Sequence, residues 1–341
     1  MAATAPDMEA PSAPTGPSNI ARPTLAEALA SIRAPSGWKR RLEDPANTFI
    51  RYPIALAMTR LFVRTPVTPN QISLTQPILA AFAGWQVTFG SYEHDLLAVL
   101  LFELRSILDC CDGSVARAKK MSSPSGHAID GLADWLGVVF LYIGILIRFQ
   151  VHPPTAVLGF GSTTLVSTVG VLGVLLLAGI QGGMRSFTSD YFRVKFVSVF
   201  EGGKDDTLDT LRAKILALGP HSTFFEKAEV LIGRMGHLTF NHVYLTRKKA
   251  MEVRSGDLVD ALRREENAPA TRVLAFLWAI SNGDAFLTYI MIGLLFDKLW
   301  LLQELYATVG IATIAALCIA SSSFVKSRTG RTAEPKLSRA A

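Results

Sequence analysis

The sequence predicts an all-α integral membrane protein with six transmembrane helices around a cytoplasm-facing polar cavity, preceded by an interfacial amphipathic helix. Three observations carry this. Half of the 341 residues are hydrophobic and only 18% are charged, where a soluble chain carries about 25%. Apolar stretches of roughly 20 residues recur, each long enough to cross a hydrocarbon core about 30 Å thick. And 31 of the 34 Arg and Lys residues fall on one side of the membrane when the chain is threaded with its N-terminus inside.

The elements follow in order. Residues 1–45 are rich in Ala, Pro, Ser and Thr and are read as a cytoplasmic tail, disordered over 1–23. The stretch Thr24-Leu25-Ala26-Glu27 fits a capping box and predicts a short helix. No basic n-region with an apolar h-region opens the chain, so a secretory signal is not expected. Residues 46–68 mix apolar side chains with Arg51, Arg60 and Arg64, the pattern of a helix lying in the membrane interface. Six spans are then expected at 69–90, 94–117, 126–149, 154–181, 271–296 and 299–323. The first opens on Thr68-Pro69-Asn70-Gln71, which places a cap, Pro at N1 and Gln at N3. The second is the least apolar, because Glu103 and Arg105 follow its apolar run at 96–102. Together these form a membrane domain over 69–325, interrupted by a cytoplasmic insertion at about 182–272, with a basic cytoplasmic tail at 326–341.

Charge sets orientation and narrows function. Basic residues concentrate on cytoplasmic loops, so both termini and the insertion are placed in the cytoplasm. The excess of +6 and pI of 9.3 are spread along the chain without a nucleic-acid-binding motif, and no nucleic-acid partner is expected. Cys110, Cys111 and Cys318 are too few and too unevenly spaced for a disulfide framework. They are read as free thiols in a reducing compartment.

The chemistry concentrates where the second span meets the third. Asp109 and Asp112 are three residues apart and Asp130 and Asp134 four apart, so each pair shares one helix face. Ser123-Pro124 between them suits a helical hairpin, which presents four carboxylates to one another. One Asp near a helix centre costs about 2.5–3.5 kcal/mol in a membrane. Four left unpaired would cost on the order of 10 kcal/mol, comparable with the whole stability of a fold. A wet cavity, a position near the interface or bound cations relieve that cost. Oxygen-only ligands favour Mg²⁺, Mn²⁺ or Ca²⁺ over Zn²⁺, and two such ions suit a phosphate or diphosphate substrate. Gly113 and Gly126 leave room beside the carboxylates, and Arg117 is a candidate phosphate clamp.

Written out, the segment is Asp109, two residues, Asp112-Gly113, two residues, Ala116-Arg117, eight residues, Gly126, three residues, Asp130, three residues, Asp134. It resembles the signature of the CDP-alcohol phosphotransferases, also called CDP-alcohol phosphatidyltransferases, at all eight fixed positions. That resemblance implies a six-helix membrane fold and a homodimer. It implies transfer of a substituted phosphate from a CDP-linked donor to an alcohol acceptor, with release of CMP. Asp109, Asp112 and Asp130 would bind two divalent ions, Mg²⁺ or Mn²⁺. Asp134 would assist at the metal site and act as general base, and Gly113, Ala116, Arg117 and Gly126 would contact the CDP moiety. The setting is an inner membrane or an endomembrane, and phospholipid synthesis is the favoured role, with CDP-diacylglycerol or a CDP-alcohol as donor. The stretches 59–73 and 101–109 look like the branch making soluble inositol phosphodiesters from CDP-inositol. The stretch 122–126 looks like the choline/ethanolamine branch. A prenyl transferase and a non-enzymatic cation transporter are the readings from other classes.

Further candidates lie around this core. Asn70 opens the first span and is a candidate for the nucleotide side or for helix packing. Arg185, Arg193 and Lys195 follow the fourth span and are candidates for an acceptor's phosphate, against plain attraction to lipid headgroups. Arg105 is expected to pair with Asp109 or with another helix, and Asp284 is either functional or held in a helix–helix hydrogen bond.

Overall fold

The computed structural model describes residues 23–121, 124–154, 162–219, 222, 224–241, 244–252 and 256–332. Among them every regular element is helical and none is a strand. Thr24 caps α1 (Leu25–Ser31) through the expected reciprocal box with Glu27. A short α2 (Gly37–Arg41) follows, then one π-helical turn (Asn47–Arg51) leading into α3 (Tyr52–Val63). Thr68, Pro69 and Gln71 open α4 (Pro69–Val87) with the second expected capping box. The hairpin forms as read, with α5 (Tyr92–Ala118) returning as α6 (Pro124–Val151). Its turn at 122–123 lies outside the described residues.

Six spans were expected, and the described helices depart from that. Three segments are long and apolar enough to cross a membrane: Ile129–Val151 in α6, Gly170–Gly202 and Gly310–Ser327. A fourth arises if α12 (Pro269–Ala279) and α13 (Gly283–Leu295), bent by 57°, count as one broken span. Polarity removes α5 from this set, for it carries Glu93, Asp95, Glu103, Arg105, Asp109, Asp112 and Arg117. The stretch expected as 299–323 is divided between α14 (Leu299–Thr308) and α15 (Gly310–Thr332). Residues 155–161 of the expected fourth span lie outside the described residues, and α7 (Ser162–Val197) runs past 182 into the expected insertion. The protein is an integral membrane protein on these apolar helices.

Packing begins where glycine permits it. The backbones of α4 and α6 touch at Gly84 and Gly144: a Cβ on Gly144 would lie 2.1 Å from the Gly84 carbonyl oxygen. Around that crossing Ala80, Ala83 and Val87 of α4 meet Phe102 of α5, Leu141 and Ile145 of α6, Ala178 of α7 and Ile290 of α13 in the main core. The opposite face of α4 points outward with Leu74, Ile78, Phe82 and Trp85 each more than half exposed. Such an apolar stripe is costly in water and favourable against lipid. Asp95 and Arg148, both buried, pair at the end of the hairpin remote from the Asp109–Asp134 constellation.

The segment after α7 builds a smaller body. Helices α8 (Asp206–Ala217), α9 (Phe224–Asn241) and α10 (Arg247–Glu252) share a core of Leu208, Leu211, Ile215, Val230, Leu245 and Ala250. Buried Lys195 donates to buried Asp205 and ties this body to α7. Burial alone would raise the Asp205 carboxyl, but the Lys195 ammonium and donors from Thr207 and Leu208 outweigh it and hold it below the usual range. Nearby His237, buried and beside the same ammonium, is pushed down to about 4. A second core joins Trp38 and Leu42 to Phe192 and Phe196 of α7, Leu262 of α11 (Gly256–Arg264) and Trp278 of α12. Trp38 donates its backbone N–H to Glu201 at 2.6 Å and its indole N–H to Glu266 at 2.8 Å. The N-terminal segment is therefore strapped to the same end of the helices as the Asp constellation.

Candidate active site

Asp109, Asp112 and Asp130 converge, each offering one carboxylate oxygen, with these oxygens all within 4.8 Å of one another. The i,i+3 spacing on α5 and the antiparallel return of α6 produce this, as the sequence implied. Asp112 is held from α4: Ser73 Oγ donates to its Oδ2 at 2.7 Å and Gln76 Nε2 to the same oxygen at 2.9 Å. Gly113 donates its backbone N–H to Oδ1 at 2.5 Å. Asp130 Oδ1 is buried and receives no hydrogen bond. Asp134 lies beside Asp109 and accepts from Arg105, whose side chain is almost wholly buried. Arg105 thus pairs with another helix rather than with Asp109 on its own.

Two cavities meet at these carboxylates. The larger, about 370 Å³, is walled by Asp109, Asp112, Asp130 and Asp134 on one side. Its other walls are Lys39, Glu43, Asn47 and Tyr52 from the N-terminal segment, Ser186, Ser189, Asp190 and Arg193 from α7, and Asn282, Gly283 and Asp284 before and within α13. The smaller, about 210 Å³, is lined by Asn70, Ser73, Ala116, Met121 and Gly126. Asp112, Gly113, Arg117 and Asp130 line both. The structure therefore brings Asn70, Gly113, Ala116, Arg117 and Gly126 to one compartment beside the acidic cluster.

The three basic candidates of α7 separate. Arg193 lines the larger cavity and pairs with Glu43 at 3.3 Å and with Asp190 at 3.4 Å. Burial pushes the Glu43 carboxyl up, and Arg193 pulls it part of the way back. Arg185 lies outside both cavities: it donates to Thr313 and to the Gly310 carbonyl and sits over the Tyr306 ring. Lys195 is buried against Asp205. Arg51, expected at an interface, is instead buried and donates to Glu103 at 2.6 Å.

Sequence reading missed the residues that hold the cluster from outside the motif. Ser73 and Gln76, three apart on α4, carried a signal: two polar side chains on one buried face require a partner. Glu43, Asn47 and Tyr52 carried none, because only the strapping of the N-terminal segment brings them to the cavity.

An oxygen-only donor set, with one buried carboxylate oxygen left without a hydrogen bond, fits a hard divalent cation. Comparison with known proteins agrees with this chemistry. Residues 66–192 match the CDP-alcohol phosphatidyltransferase family. The ceramide phosphoethanolamine synthase of Drosophila melanogaster is 36% identical over 126 residues, 34% of this chain and 32% of that protein. A bifunctional IPC transferase and DIPP synthase of Archaeoglobus fulgidus is 31% identical over 130 residues, 38% of this chain and 22% of that protein. The protein of the same description from Rubrobacter xylanophilus is 36% identical over 99 residues, 29% of this chain and 22% of its own length. The chain thus spans about a third or less of each of these relatives. Residues 66–192 are a CDP-alcohol phosphatidyltransferase domain.

Proposed function

We propose that this chain is a membrane enzyme that transfers a substituted phosphate from a CDP-linked donor to an alcohol, releasing CMP, in the synthesis of a phospholipid or sphingolipid. The observation that carries the reading is the convergence of Asp109, Asp112 and Asp130, with Asp112 and Asp130 lining both of two adjoining cavities. A nucleoside diphosphate spans such a pair: its CMP half occupies the smaller compartment beside Gly113, Ala116 and Gly126, and its alcohol half enters the larger. Arg117 lines both and takes phosphate oxygens, as a guanidinium does well.

The bond changes are those of a phosphoryl-group displacement. The acceptor oxygen attacks the phosphorus that bears the donor alcohol. The bond from that phosphorus to the bridging oxygen breaks, its electron pair leaves with CMP, and the acceptor's proton passes to the Asp134 carboxylate. Arg105 holds Asp134 in place for this, while about half of the Asp134 side chain stays accessible from the cavity. Mg²⁺ or Mn²⁺ held by Asp109, Asp112, Asp130 and Asp134 would neutralise diphosphate charge. The chain works as a homodimer, with this face and both termini in the cytoplasm. A second reading, synthesis of a soluble inositol phosphodiester, is favoured by the similarity to the two bifunctional synthases.

A panel of donors separates the two. Purified protein in detergent receives Mn²⁺ with CDP-ethanolamine, CDP-diacylglycerol or CDP-inositol and a set of alcohols. CMP together with a phosphorylated product in the organic phase supports the lipid reading. An aqueous product supports the inositol reading, and no CMP from any pair overturns the reaction class.

A further inference from the structure

The larger cavity has a wall that the family signature does not contain. Between α12 and α13 the helix breaks by 57°. Asn282 caps the new helix, accepting from the Ala285 N–H at 2.7 Å, and Asn282, Gly283 and Asp284 line the cavity. Non-helical backbone at membrane depth is tolerated where it borders a polar cavity, and broken membrane helices commonly present their ends to a substrate. Gly283 packs so closely on Ser186 of α7 that a Cβ there would lie 2.7 Å from its hydroxyl oxygen. The elbow is thereby fixed against the helix that forms the adjacent wall.

Asp284 stands out on this elbow. Its Oδ2 accepts from Asn47 Nδ2 at 2.7 Å, and Asn47 in turn accepts from Arg51 at 2.9 Å. The carboxylate is thus oriented by a neutral amide. Three nearby guanidiniums make their ion pairs with other acids: Arg51 with Glu103 and Asp44, Arg193 with Glu43 and Asp190, Arg105 with Asp134. Lys39 and Arg117 line the same cavity without bonding to Asp284. Among the described residues no Lys, Arg or His nitrogen lies within 4.0 Å of Asp284. Its place in the first turn of α13 gives it a favourable helix-dipole interaction. That accounts for a tolerated acid but not for one facing a cavity shared with five other Asp residues.

We propose that Asp284 is a specificity-determining residue that binds the ammonium group of an amino-alcohol substrate in the larger cavity. The inference rests on the transferase reading above. Asn47 is its positioning partner. The ammonium supplies a direct ion-pair contact that no described side chain makes, and the group it belongs to is carried either on the CDP donor or on the acceptor alcohol. A neutral polyol gains nothing comparable from a charged carboxylate.

The test measures kcat and KM for CMP release with amine and neutral partners. One arm compares CDP-ethanolamine with CDP-inositol at a fixed ceramide acceptor. The other holds CDP-diacylglycerol as donor and compares serine with glycerol. The wild type is expected to prefer the amine at least tenfold in kcat/KM in one arm, which names its source. Asp284→Asn is expected to lose roughly 10- to 100-fold for the amine substrate, mostly through KM, as for a lost charge-assisted hydrogen bond. The neutral substrate should lose far less than the amine, and Asp284→Glu should recover part of the amine's loss. Equal use of amine and neutral partners by the wild type overturns the proposal without any variant, as does an equal loss with both in Asp284→Asn. CMP from neutral pairs only would refute this inference and leave the transferase standing. No CMP from any pair would remove the reaction class and this inference with it.

Discussion

Replacing Gly144 by Ala tests the packing that positions the clustered carboxylates. The new Cβ would sit 2.1 Å from the Gly84 carbonyl oxygen and 2.7 Å from its carbon. These are backbone atoms, which cannot swing aside. The two helices must part by about 0.9 Å to reach even 3.0 Å, the lower edge of real Cβ contacts. Overpacking costs about 1–3 kcal/mol, and a backbone clash belongs at the upper end. Ala returns about 1 kcal/mol of helix propensity. The net is a loss of about 2 kcal/mol, or roughly 4–8 °C in melting temperature. Gly183→Ala is the control, since a Cβ there meets nothing within 4 Å and keeps only the propensity gain. Thermal unfolding in detergent reads both. Because α4 carries Ser73 and Gln76 and α6 carries Asp130 and Asp134, Gly144→Ala should also lower CMP release in protein that is still folded. Equal melting temperatures for the two variants would refute the close helix crossing.

Three further outcomes follow from other parts of the molecule. Ser73→Ala removes one of the two α4 donors to Asp112 and should raise the Mn²⁺ concentration for half-maximal activity by about 10-fold or more, read by metal titration of CMP release. Arg148→Met leaves the buried Asp95 carboxylate without its partner and should destabilise the fold by about 3–5 kcal/mol, read by thermal unfolding, whereas the double change with Asp95→Leu should recover most of it. His237 has a folded-state pKa near 4, against an ordinary value of 6.5. The unfolded chain therefore binds the extra proton first, and stability falls as pH drops from about 6.5 to 4, by roughly 3 kcal/mol in total; His237→Gln should flatten that part of the stability–pH curve.

Legibility in the sequence followed the range of the interactions. The two capping boxes, the α5–α6 hairpin and the convergence of Asp109, Asp112 and Asp130 are set by spacing within a few turns of helix, and all were readable. Hydropathy was a poorer guide to spans. It divides the chain by composition, and the charged side chains of α5 and the break at Gly310 alter which helices meet the length and polarity of a crossing. Long-range partners were not readable. Nothing near Arg51 in sequence points to Glu103, and nothing near Asn47 points to Asp284, 237 residues away. The basic run after the fourth span shows the same limit. Arg185, Arg193 and Lys195 look equivalent as a string, yet one faces the cavity, one packs on Tyr306 and one is buried against Asp205.

Carboxylates that perform a metal-dependent transfer where the two cavities meet would liberate CMP only with the ion bound. The most direct measurement is CMP release by the wild type, Asp109→Asn and Asp130→Asn, each with Mn²⁺ and with excess chelator, using the donor the wild type accepts. CMP should form with the wild type only when Mn²⁺ is present, with a loss of at least about 1,000-fold in both variants, while their melting temperatures without metal stay close to the wild type's. Turnover that survives in Asp109→Asn or Asp130→Asn, or that is indifferent to the chelator, would contradict that role for the carboxylates.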